Sequence, residues 1–215
     1  MSDKKEALFS KKNRQLMTDP LDGSNPISVQ VLGICSALAI TVQVEQAFVM
    51  SAAVMAVLMF GNMIVSAMRN YIPSRIRIIV QLVIVAALVI LVNELLKAFM
   101  PDVSESLSVF VGLIITNCII MGRLEAFALG NKVWPSLLDA IGNGLGYGWI
   151  LVVVAFFREL FGSGKIFGLQ IIPDAFYEAG YMNNNMMILP PMALITVALI
   201  IWVQRSKNTD LIEEN

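Results

Sequence analysis

Charged residues in this chain come in clusters, and long apolar runs lie between them. A helix needs about 20 apolar residues, within a range of roughly 17–25, to cross ~30 Å of hydrocarbon. The distance between charges therefore serves as a ruler. Residues 46–68 carry no charge and predict the cleanest span, closed by Arg69 and the turn-like "RNYIPSR". Another span extends from about Ile76 to Phe99 and is closed by Pro101. Four more spans are predicted: one from Ile27 towards Glu45, one over 106–122, one over about 140–160, and one within 186–204. The first is short and is interrupted by Gly33, Cys35 and Ser36. The span over 106–122 is short as well, with Thr116, Asn117 and Cys118 at its centre and an Arg123/Glu125 pair at its end. The expectation is an all-α integral membrane protein with six transmembrane helices. A polar N-terminal tail (1–25) precedes the membrane domain (26–204), and a short C-terminal tail (205–215) follows it.

The distribution of Lys and Arg orients these spans, because cytoplasmic segments are enriched in both. With the N-terminus inside, that side collects Lys4, Lys5, Lys11, Lys12, Arg14, Arg69, Arg75, Arg77, Arg123, Lys132, Arg205 and Lys207. The other side keeps only Lys97, Arg158 and Lys165. Both termini are thus expected in the cytoplasm. The short spans are the first and the fourth of six, which suggests two inverted three-helix repeats, about 26–100 and 105–204. "VEQAF" after Cys35 and "LEAF" after Cys118 support this weakly. Inverted repeats with discontinuous helices build central sites in many transporters.

Composition agrees with the pattern. The 215 residues are 57% hydrophobic and 14% charged, against about 25% charged in a soluble domain. The net charge is −1 and no basic run interleaves with aromatics, so nothing points to nucleic acid. The polar start lacks the apolar core of a signal peptide, and the first span is expected to be retained.

The chain has two cysteines and no histidine. Cys35 lies 8 residues beyond Ile27 and Cys118 lies 11 beyond Leu107. At ~1.5 Å per residue this places each about 12–17 Å deep, near the bilayer centre. Two antiparallel segments would bring the thiols to one depth. A buried cysteine is usually a small hydrophobe, and an intramembrane disulfide ranks low. Zinc prefers four N or S ligands, and a [2Fe–2S] cluster ordinarily takes four cysteines. Either would need two further ligands from a partner, most simply a related subunit.

"NPISVQVLGICSALAIT", "SVFVGLIITNCIIMGRLEAFA", "IGNGLGYG" and "FFRELFGSGKIFG" resemble the D-subunit family of bacterial Na⁺-translocating NADH:quinone reductases. The wider family includes the E and A subunits of Rnf ion-translocating complexes. The likeness runs from about Asn25 to Trp202. It implies six helices in two inverted halves within the bacterial inner membrane. It also implies a [2Fe–2S] cluster shared with a homologous E subunit of opposite topology, with Cys35 and Cys118 as this chain's ligands. Electrons from NADH would pass through a flavin and an iron–sulfur centre elsewhere in the complex, then through this cluster to flavin and quinone. The A, B, C and F subunits would carry those groups, and Na⁺ would be exported. Two alternatives stand beside this reading: the E subunit of an Rnf complex, and a stand-alone secondary transporter with purely structural cysteines.

Further residues attract attention by their position. Asp139, at the inner mouth of the fifth span, is a possible ion-path residue. Glu94 lies near the outer end of the third span, and Arg158 and Glu159 adjoin the outer end of the fifth and could pair with each other. Ionisable groups at membrane depth point to function. Trp134, Tyr147, Trp149 and Trp202 read as interfacial anchors. "GNGLGYG" has no strand before it, so it reads as close helix packing and not as a nucleotide loop. Thr116 and Asn117 would donate to cluster sulfur or satisfy the backbone of a broken helix.

Overall fold

The computed structural model describes residues 11–21, 23–99, 112–166, 169–170 and 185–207. In chain order the helices are α1 (Lys11–Thr18), α2 (Ile34–Ile40), α3 (Val44–Met68), α4 (Arg77–Phe99), α5 (Cys118–Arg123), α6 (Val133–Ser163) and α7 (Pro190–Lys207). Among the described residues the only extended pairing is a two-residue ladder, Lys165–Ile166 against Leu169–Gln170. Three helices, α3, α4 and α6, are long and apolar enough to cross a membrane, and α7 is a shorter apolar helix.

Small residues decide how α3 and α6 meet. A Cβ on Gly144 would stand 2.7 Å from Met55 Cγ, and one on Gly148 would stand 3.0 Å from Ser51 Cβ. Further along, the Asn62 amide donates to the Ser136 carbonyl at 3.0 Å and the Ser66 hydroxyl to the Asn131 carbonyl at 2.7 Å. The helices run antiparallel, and this pair forms the centre of the molecule. Around it gather the core residues Val54, Val57, Leu58, Leu151 and Val154. By contrast α4 is buried only at Gln81, Val85 and Val89 and turns Ile79, Val83, Ile90 and Leu91 outward.

Several expectations change in detail. The fifth span starts at Val133 and not near 140. Pro135 falls in the first turn, where a missing N–H costs nothing, and Asp139 is accommodated inside the helix because Arg123 pairs with it. The first span is helical only over Ile34–Ile40, and the polar segment before it folds back on its own chain. A Cβ on Gly142 would meet the Leu16 carbonyl at 2.7 Å, and one on Gly146 would collide with the Pro20 carbonyl. The "IGNGLGYG" glycines are therefore packing positions, on α3 with one face and on α1 and the turn after it with the other. Residues 106–111, Lys4 and Lys5, on which parts of the sequence reading rest, lie outside the described residues.

Candidate functional site

Both cysteines sit in the first turn of a short, interrupted helix. The chain reaches Cys35 through Val31 at φ 59 and Gly33 at φ 83, the left-handed region that disfavours a β-branched residue such as valine. A Cβ on Gly33 would lie 2.9 Å from the Tyr147 ring. On the other side, a helical turn over 112–115 breaks at Thr116 and Asn117, and α5 begins at Cys118. Asn117 caps α5, its side-chain oxygen accepting from the Ile119 N–H at 3.3 Å. After α5 the chain makes a π-helical turn over Leu124–Ala128.

These two breaks bring the thiols together: Cys35 Sγ stands 3.9 Å from Cys118 Sγ, and both residues are exposed on the surface. Two thiolates bound at ~2.3 Å to one tetrahedral ion lie about 3.8 Å apart, so the spacing fits a pair of ligands to a single metal ion. No group of three or more His, Cys, Asp or Glu that could hold a metal occurs among the described residues. Two thiols at this spacing would supply half of a four-thiolate centre, and their exposed side leaves room for ligands from a partner.

Behind the thiols lies a dry polar node. Ser36 is 2% exposed, Asn117 1% and Tyr147 0%. Ser36 Oγ lies 2.6 Å from the Tyr147 hydroxyl and donates to the Gly33 carbonyl at 2.7 Å. The Asn117 amide donates to the Tyr147 oxygen at 3.3 Å and to Ser36 Oγ at 3.4 Å. Tyr147 is therefore no interfacial anchor: it stands on the buried face of α6 and bonds to residues adjoining both cysteines. Sequence reasoning missed this role, although Gly33, two residues before Cys35, marks a place where another chain segment comes close.

Arg158 and Glu159 do not pair with each other. Arg158, 1% exposed, donates to Thr41 Oγ1 at 2.6 Å, to the Ile188 carbonyl at 2.6 Å and to the Met187 carbonyl at 3.0 Å. Glu159 accepts from the Val44 N–H at 2.6 Å. Two consecutive residues of α6 thus hold both sides of the break between α2 and α3. Asp139 forms a buried ion pair with Arg123 and accepts from the Asn143 amide at 3.1 Å, while the Asn143 side-chain oxygen is buried without a partner. Glu125 turns from Arg123 to Arg77, 2.5 Å away, and Glu94 pairs with Lys97 at the exposed end of α4.

The Rnf-Nqr family, described as "Rnf-Nqr subunit, membrane protein", matches residues 13–201. The D subunit of the Na(+)-translocating NADH-quinone reductase of Photobacterium profundum is 52% identical over 196 residues, spanning 91% of this chain and 93% of the relative.

Proposed function

Because this chain belongs to the Rnf-Nqr family of membrane subunits, we propose that it is the D-type subunit of a Na⁺-translocating NADH:quinone reductase. One observation carries the site assignment: two thiols at ligand spacing, 3.9 Å apart, on an open face. Cys35 and Cys118 would hold one iron of a [2Fe–2S] cluster, and two cysteines of a homologous E subunit of opposite topology would complete it. When bound, the cluster supplies a one-electron relay station within the membrane. This chain fixes the two sulfurs and orients them through the buried Ser36, Asn117 and Tyr147. The A, B, C and F subunits complete the assembly and carry the flavin and quinone sites.

The broken helices around Cys35 and Cys118 support an inverted six-span architecture; the Lys and Arg distribution supports cytoplasmic termini, and the likeness to a D subunit supports the bacterial inner membrane. Asp139 is assigned to the Na⁺ path. In support, its carboxylate is buried beside the unpartnered oxygen of Asn143, and an entering Na⁺ would compete with Arg123 for it. Slower Na⁺ uptake in Asp139→Asn vesicles would agree, and unchanged uptake would refute it. The 52% identity to a D subunit favours this reading over the Rnf alternative.

The deciding experiment compares the purified complex with and without Cys118→Ser. Loss of two equivalents of iron per complex is expected, together with one of the iron–sulfur EPR signals, while the signal of the iron–sulfur centre on another subunit stays. Unchanged iron content and an unchanged spectrum would remove Cys118 from the ligand set.

A further inference from the structure

We propose that Tyr147 is a positioning residue that sets the distance between the two thiols. The hydrogen bonds around its hydroxyl admit one consistent direction. Ser36 donates its only hydroxyl proton to the Gly33 carbonyl at 2.7 Å, so in the 2.6 Å contact with Tyr147 it accepts. Tyr147 is then the donor, and its oxygen takes up the Asn117 amide at 3.3 Å. Asn117 keeps its own oxygen for the Ile119 N–H of α5. One phenol thus joins the residue after Cys35 to the residue before Cys118. All three side chains are buried, so water does not replace a lost bond and the network stays directional.

The ring is held as firmly as the hydroxyl. Tyr147 packs within the main core on α6, and only glycine at position 33 leaves room for its edge. The two cysteine segments come from distant parts of the sequence. Their shared partner on a third helix supplies a fixed reference for both. The spacing argument stands on the geometry alone; its consequence for a metal ion rests on the ligand assignment made above.

The test reads the thiol spacing directly. In membranes carrying the assembled complex, treated with an iron chelator under reducing conditions and then washed, diamide is added. Closure of Cys35 with Cys118 is followed by mass spectrometry of the bridged peptide. In this reaction the two thiols lose two electrons and two protons, and diamide is reduced to its hydrazine. Tyr147→Phe keeps the ring and removes the hydroxyl. It should slow closure roughly fivefold, the factor of one ordinary hydrogen bond, and lower the complex's melting temperature by no more than about 2–4 °C. Ser36→Ala removes the acceptor and should have the same effect, and the double variant should be no slower than either single one. Wild-type closure rates in both single variants would overturn the proposal, as would fully multiplicative effects in the double variant. If Tyr147→Phe does not assemble, the rate in Ser36→Ala decides. Failure of the ligand assignment shows separately, as wild-type iron content and an unchanged EPR spectrum in Cys118→Ser.

Discussion

Replacing Arg158 with methionine tests whether a buried charge holds the break between α2 and α3. Three of its bonds are short, to Thr41 at 2.6 Å, Ile188 at 2.6 Å and Met187 at 3.0 Å. Hydrogen bonds from a charged donor contribute roughly 1.5–3 kcal/mol each, or about 5–9 kcal/mol for three. Burial of the methionine side chain in its place returns about 1.5–3 kcal/mol, which leaves a net loss of at least about 3 kcal/mol. Methionine fills much of the volume but leaves two carbonyls and a hydroxyl facing no donor. Lysine keeps the charge yet lacks the planar fork that reaches both sides, so Arg158→Lys should lose roughly half as much. For a chain of this size, about 3 kcal/mol corresponds to a melting shift of about 6–12 °C. The assay is thermal unfolding of the detergent-solubilised complex, read by retention of this chain in the assembly. A shift of less than about 1 °C for Arg158→Met, against the 6–12 °C or so expected for a loss of that size, would refute the reasoning.

Two further predictions concern packing and charge. Gly146→Ala should weaken docking of the N-terminal segment more than Gly144→Ala does. The first meets a backbone carbonyl of that segment, at Pro20, and the second the Cγ and Cβ of Met55 on α3; protease cleavage within 11–21 of intact vesicles would measure the difference. Arg123→Met should destabilise by about 3–5 kcal/mol, because it strands a buried carboxylate. Asp139→Asn should cost less, since Arg123 at 16% side-chain exposure has a way to solvent that Asp139 at 2% lacks. Equal melting temperatures for those two variants would contradict the asymmetry.

Spans α3 and α4 were legible in the sequence because no charge lies within 46–68 or 78–93, and the polar turn over 69–76 separates the two. The thiol pair was legible because two rare residues fell in two interrupted runs. Asp139 misled the ruler: paired with Arg123, it no longer marks the edge of a span, so α6 reaches back to Val133. Arg158 and Glu159 are neighbours in sequence, but successive helical residues point about 100° apart and do not face each other. Their partners lie on two different elements. Tyr147 carried no one-dimensional sign of its role, since an aromatic residue beside glycines suits a membrane interface and a buried node equally well.

The positions at which α6 grips its neighbours have a mechanical consequence. Asp139 fastens the second cysteine segment about 12 Å along the axis to one side of Tyr147, and Arg158 fastens the first about 16 Å to the other. Long helices flex gently along their length. Ser36 and Asn117, next to the two cysteines, bond to one atom of that helix, the Tyr147 hydroxyl oxygen. Bending of α6 with the membrane therefore carries both contacts together and draws neither away from the other.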